Sequence, residues 1–220
     1  MACRGNKYGK SAMNIELICK IVLIALYSLF SIIRIEYYRK ARKASYKTVI
    51  EEKRRYAIWL SVFICYEVFT FFVYILFPEI LAWGALPLPI WLRLIGAGLG
   101  IIALIWFVWI HQTLGNNLSV RIRIKDSQHL VTNGPYRWVR HPMYTAFYLL
   151  HIAAFLLTAN WFIGVTWIAG LTAIIFLRVS REEAMLFSRF GEAYSSYAEN
   201  TGRFLPRIKG LSDTFRKQRI

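Results

Sequence analysis

Apolar residues along this chain gather into long blocks separated by polar links. A first block runs from about Ile15 to Ile35 and is uncharged from Ile21 to Ile33. A second spans about Tyr56–Phe77, interrupted only by Glu67, and a third about Ile90–Ile110, with Arg93 near its start. Roughly 20 apolar residues wound as a helix cross ~30 Å of hydrocarbon, so each block predicts a transmembrane helix. Two shorter blocks, about Tyr144–Ala159 and Trp161–Leu177, meet at Asn160. Their length predicts a tight helical hairpin packed on the other helices. The expected fold is therefore an all-α integral membrane protein of about five transmembrane helices. A polar loop, His111–Pro142, leaves the bilayer, and an amphipathic, then basic, segment follows from Arg178. Residues 1–220 read as one membrane domain, with three helices in 1–110 and the hairpin and C-terminal cap in 111–220.

Composition agrees with this pattern. Hydrophobic residues make up 57% of the chain and charged residues 18%, whereas a soluble domain is about half apolar and a quarter charged. The formal charge of +16 would point to nucleic acid if it were clustered on one surface. Instead it is dispersed among the links: nine Lys/Arg in Arg34–Arg55, five in His111–Arg140, nine from Arg178 onwards and none in Phe77–Pro89. With five crossings the three basic segments share one side. The positive-inside rule makes that side cytosolic and puts the N-terminus outside, although Arg4, Lys7 and Lys10 pull mildly the other way. Membrane lipids, with their anionic headgroups, are then the natural partners of the basic links, and no nucleic acid is expected. Plasma membrane and endoplasmic reticulum fit equally. Arg34 follows the first block where a signal peptide would show a small-residue cleavage site, so an uncleaved helix is expected. Cys3, Cys19 and Cys65 have neither disulfide-framework nor metal-ligand spacing, and no metal is expected.

Two polar segments carry candidate chemistry. In the run Leu130–Tyr144, Asn133-Gly134-Pro135 is a turn signal. Arg140-His141-Pro142 then sets a cation and an imidazole at the mouth of a helix opened by proline, where unpaired backbone N–H groups face a ligand. Tyr136 and Tyr144 flank it. The same composition also fits an interfacial anchor, since Tyr, Trp and Arg gather at membrane surfaces. In the second segment, Arg178 and Glu182 lie four apart and share one helical face where the last apolar block meets water. They are either an ordinary exposed pair or the charged wall of a pocket. Glu67 is costly in hydrocarbon and sits near an interface or faces a partner or substrate route. His111 and His151 read as interfacial or packed polar residues, and Gly96, Gly98 and Gly100 as a close helix-packing face.

Taken together, HLVTNGPYRWVRHPMY, the hairpin, RVSREE, RFGEAYSSY and RFLPRIKG resemble, in order and spacing, the isoprenylcysteine carboxyl methyltransferases, over about residues 111–210. Phospholipid N-methyltransferases share that core. The resemblance implies a cytosolic-side pocket for S-adenosyl-L-methionine and a lipidic or prenylated acceptor entering from the bilayer. Gln128, His129, Leu130 and Val131 would line the adenosine, with Gln128 and His129 placed mainly by spacing. Tyr136, His141, Pro142, Met143 and Tyr144 would form the cofactor wall. Glu182 would face the methionine ammonium, with Glu183 as its partner, and Arg178 would hold the acceptor carboxylate. Arg178 and Glu182 are thus the implied catalytic pair.

Some positions depart from the family pattern. Ala146 stands where many relatives carry glycine, Leu114–Ser119 replaces a Leu-Gly-x-x-Trp-Ser element, and Arg121 replaces a glutamine. These changes bear on pocket detail and acceptor choice. The competing readings are a phospholipid amine methyltransferase, an NADPH-binding sterol-reductase-like protein and a non-catalytic scaffold. A sterol reductase would show more crossings and Arg-Asp-Glu in place of Arg181-Glu182-Glu183.

Overall fold

A computed structural model describes residues 4–42, 48–49, 54–114, 123–124 and 129–207. The chain is almost wholly helical. The elements are α1 (Arg4–Arg42), α2 (Arg54–Leu76), α3 (Ile90–Leu114), α4 (Pro142–Thr158), α5 (Trp161–Phe190) and α6 (Glu192–Asn200). A two-residue ladder pairs β1 (Thr48–Val49) antiparallel with β2 (Arg123–Ile124), and short 3-10 turns occupy Pro78–Gly84 and Gly134–Arg137. Four helices, α1, α2, α3 and α5, are long and apolar enough to cross a membrane, while α4 is a shorter apolar helix. The integral, multi-pass architecture read from the blocks holds.

The helices outrun the apolar blocks that announce them. At 1.5 Å per residue, α5 with its 30 residues is about 45 Å long, and its second half carries Arg178, Glu182 and Glu183 beyond the apolar stretch. Nothing in Arg178–Phe190 breaks a helix. The stop comes at Gly191, whose φ of 51° suits glycine and whose N–H closes on the Phe187 carbonyl.

Helix α4, only 17 residues long, is the hub, packed between α3 and α5 and touching α1. Lipid tails are as apolar as leucine, so helices associate here through close packing of small residues rather than by escape from water. Ala146, Ala153 and Ala154 are essentially inaccessible. A side chain at Gly96 would strike Leu156 of α4, and one at Gly100 would strike Leu26 of α1. Gly98 faces open space, so the expected glycine face is real at positions four apart and absent between them. Leu23, Leu150, Leu157, Ile163 and Trp167 fill the centre.

The hairpin turns at Ala159 (φ 46°) and restarts at Asn160, which caps α5 by accepting from Ile163 N at 3.1 Å. The Asn160 amide also donates to the Leu81 carbonyl at 2.8 Å, tying the hairpin to the Pro78–Gly84 turn.

Two polar contacts cross the bundle. Arg93 of α3 donates to Glu16 of α1 at 2.8 Å and twice to the Leu157 carbonyl of α4, at 3.2 and 2.6 Å. Tyr74 of α2 donates to the other Glu16 oxygen at 2.7 Å. Glu67, the lone acid in the second block, lies 2.6 Å from His151 Nε2, and His151 Nδ1 sits 2.8 Å from the Phe147 carbonyl. Glu67 is therefore paired inside the bundle, and His151 is a packed polar residue.

Candidate active site

The two polar segments that stand 40 residues apart in sequence are folded onto each other. The hairpin returns the chain, so the α4 N-terminus (His141–Tyr144) faces the polar end of α5. Tyr144 Oη donates to Glu182 at 2.8 Å, and Arg178 Nε donates to the other Glu182 oxygen at 2.6 Å. His141 Nδ1 lies 3.7 Å from Glu182, and its Nε2 lies 3.2 Å from Glu183. The His141 and Tyr144 rings stack at 5.5 Å. Arg178 also donates to Tyr56 Oη of α2 at 3.2 Å and lies 5.5 Å over that ring. The i,i+4 pair is not an ordinary exposed one: the Arg178 and Glu182 side chains are 17% and 20% accessible.

Glu183, one residue on, has a different environment. It receives Arg140 Nε at 3.2 Å, Arg203 Nε at 3.1 Å and a second, shorter bond from Arg203 Nη2, besides His141. Arg140 itself donates to the carbonyls of Ala198 (2.6 Å) and Thr201. The segment after α6 is thereby strapped across the loop. Arg140 N donates to Gly202 O at 2.8 Å, His141 N to Arg203 O at 3.0 Å, and Thr145 Oγ1 to Phe204 O at 2.8 Å.

The loop wall is built on a glycine turn. Gly134 has a φ of 55°, and a side chain there would strike Thr113 of α3, so both the backbone conformation and the space require glycine. Pro135 and Pro142 are fully buried. Trp106 donates to the Pro142 carbonyl at 3.2 Å and stacks on Trp138 at 5.7 Å, which seats the loop on α3. Tyr197 of α6 donates to the Tyr136 carbonyl at 2.6 Å. Burial holds the Tyr136 phenol above its ordinary range, with Tyr197 and the Glu182 charge adding to the effect. It stays a proton donor at neutral pH.

The structure thus brings His141, Tyr144, Arg178, Glu182 and Glu183 together, with Tyr136 within electrostatic reach of Glu182. Leu130, Val131 and Met143 are partly buried on the same loop and helix start, while His129 is exposed. Gln128 lies outside the described residues. Sequence reasoning passed over Arg203 and Tyr56. Arg203 entered only within the basic tail and the RFLPRIKG motif, and Tyr56 only as the first residue of the second apolar block. Only the fold shows that each meets a charged group of the site.

These residues suit a ligand with cationic and hydrogen-bonding parts. Glu182 is a half-buried carboxylate, and the Tyr136 hydroxyl has no hydrogen-bond partner among the described residues.

Residues 96–188 match the model of the isoprenylcysteine carboxyl methyltransferase (ICMT) family, so the resemblance read from the motifs holds from residue 111 to 188, and the last two motifs lie beyond the match. Over 101 residues the chain is 33% identical to a protein-S-isoprenylcysteine O-methyltransferase of Homo sapiens, covering 45% of this chain and 36% of that one. A protein of the same name from Tribolium castaneum is 32% identical over 100 residues, covering 44% and 36%. The chain spans little more than a third of the length of these relatives. A solved structure of the eukaryotic intramembrane Ras methyltransferase ICMT superposes with a TM-score of 0.54 at 23% identity, covering 89% of this chain and 72% of that one. The two share a fold.

Proposed function

We propose that this chain, whose residues 96–188 match the isoprenylcysteine carboxyl methyltransferase family, is an integral membrane methyltransferase. It uses S-adenosyl-L-methionine to methylate the carboxylate of a prenylcysteine-like lipidic acceptor. The observation that carries this reading is the half-buried Arg178–Glu182–Tyr144 cluster, formed where α5 emerges from the apolar layer and faces the α4 N-terminus. Positive-inside charge placement puts this face in the cytosol and the N-terminus outside.

When bound, the cofactor supplies a methyl group already activated on a sulfonium. The protein's task is then to hold the acceptor in line and close to it, ~3 Å away. Glu182 complements the donor's ammonium group. Tyr136, His141, Pro142, Met143 and Tyr144 form its wall, and Leu130 and Val131, with His129 ahead of them, line the adenosine. Glu183 serves the same wall by fixing His141 and the strap, because its carboxylate is already committed to Arg140 and Arg203. Arg178 orients the acceptor carboxylate through charge-assisted hydrogen bonds.

An ionised carboxylate has no proton to lose, so this reaction needs no general base. An amine acceptor would need one, with Glu182, Glu183 or His141 the residues in reach, and Glu183 is held by two arginines. That favours the carboxyl reading over a phospholipid amine.

Calorimetry on the detergent-purified protein tests the proposal. S-adenosylhomocysteine should bind, Glu182→Ala should weaken it roughly tenfold, and NADPH should give no heat. Silence towards the adenosyl ligand would sink it.

A further inference from the structure

Family matching stops short of the first two helices, yet both reach the site. Tyr56, at the start of α2, is 5% accessible and accepts a hydrogen bond from Arg178. Its hydroxyl oxygen is occupied as an acceptor, while its own proton meets no acceptor among the described residues. Arg34, in the last quarter of α1, lies with its guanidinium 5.6 Å over the Phe147 ring. Phe147 packs on Tyr144 at 6.4 Å, and Tyr144 is bonded to Glu182. Arg34 is within electrostatic reach of both Arg178 and Tyr56.

Among the described residues, the carboxylate at hydrogen-bond distance in this corner serves one of its two arginines. Arg178 has Glu182 at hydrogen-bond distance. Arg34 has no carboxylate within ion-pair distance among the described residues, and the acid that reaches it electrostatically, Glu67, is bonded to His151. Two like charges repel, the more so where hydrocarbon rather than water lies beside them. An anion between them removes that cost, and a hydroxyl with a spare proton adds a directed bond.

We propose that Arg34 and Tyr56 complete the acceptor's anion site: Arg34 supplies the second positive charge and Tyr56 a hydrogen-bond donor beside Arg178. The occupant is the acceptor's carboxylate, which rests on the function proposed above. A phospholipid phosphate is the other anion with the same chemistry. The N-terminal helices thus select acceptors by charge, while the matched core holds the donor.

Binding, measured apart from turnover, tests this. N-acetyl-S-farnesylcysteine, its uncharged carboxamide and phosphatidylethanolamine are titrated against the whole purified protein by calorimetry, and methylation is assayed in parallel. The wild type should bind the acid at least tenfold more tightly than the carboxamide. Arg34→Gln and Tyr56→Phe should each weaken the acid roughly tenfold, while carboxamide affinity and melting temperature stay put. Arg34→Lys, which keeps the charge, should recover most of the loss. Equal wild-type affinity for acid and carboxamide overturns the inference, as does unchanged acid affinity in folded Arg34→Gln and Tyr56→Phe. If the acid binds in this charge-dependent way but is not methylated, the proposed function fails and the anion site stands. If only phosphatidylethanolamine responds to the two variants, the site holds a phosphate and the carboxylate assignment is overturned.

Discussion

Two arginine–glutamate pairs sit in different parts of this bundle, and they are built for different ends. Arg93 meets Glu16 and then spends two further donors on a backbone carbonyl, that of Leu157 at the end of α4. The second Glu16 oxygen is taken by Tyr74. Four helices are tied together, and every strong partner is a fixed part of the fold. Arg178 and Glu182 instead sit on successive turns of one helix, and side chains from other elements, Tyr56, Tyr144 and His141 among them, meet the pair. A pair closed by main chain locks helices in place. A pair closed by side chains can exchange its partners for a ligand at modest cost.

The sharpest way to break the comparison is to remove each arginine in turn. Arg178→Ala should lower kcat/KM for a prenylcysteine acid by about 10²–10³, the scale of losing a preorganised charged donor. A variant that kept wild-type turnover would show that the α5 pair is as structural as the α3 pair.

How far each pair could be read beforehand follows from the physics of reach. Arg178 and Glu182 are four apart, so helical geometry alone makes them neighbours. Arg93 and Glu16 are 77 residues apart, and no local rule joins them; Arg93 looked like a charge near the start of a crossing. Block lengths and charge placement made the helices legible, because hydrocarbon thickness is an external ruler. They placed the end of α5 at Leu177, whereas the helix runs on to Phe190, since polarity ends a membrane block but not a helix. Gly98 was indistinguishable from Gly96 and Gly100 until the helix had neighbours. The candidate site was legible where motifs lay on one helix or one turn, as with His141–Tyr144 and Arg178–Glu183. It was illegible where a lone residue arrives from elsewhere, as with Tyr56 and Arg203.

The next effect falls on stability. Arg93→Ala leaves the partly exposed Glu16 carboxylate with Tyr74 alone and takes both side-chain donors from the Leu157 carbonyl. Losing those bonds costs about 1–3 kcal/mol, so thermal unfolding in detergent should show a lowered midpoint. At low temperature, affinity for S-adenosylhomocysteine should remain that of the wild type. A loss of ligand affinity as large as that of Glu182→Ala would mean that the two pairs are coupled through α4 rather than divided between structure and site.

The smallest effect probes the boundary between the two roles. The Tyr197 hydroxyl donates to the Tyr136 carbonyl at 2.6 Å, one of two side-chain bonds described between α6 and the loop, the other running from Arg140 to the Ala198 carbonyl. Burial, with Tyr194 beside it, keeps that phenol protonated well above neutral pH, so the bond persists across any practical assay range. Tyr197→Phe deletes it while keeping the ring against Tyr194. A net hydrogen bond is worth about 1 kcal/mol, and if the strap carries that energy into order of the Tyr136 wall, S-adenosylhomocysteine should bind roughly threefold more weakly, within the ~1 kcal/mol allowance. The acceptor acid, held by residues of α1, α2 and α5, should bind as before. Calorimetry with both ligands separates these outcomes. Equal weakening of the two would show that α6 braces the whole corner rather than the donor wall alone.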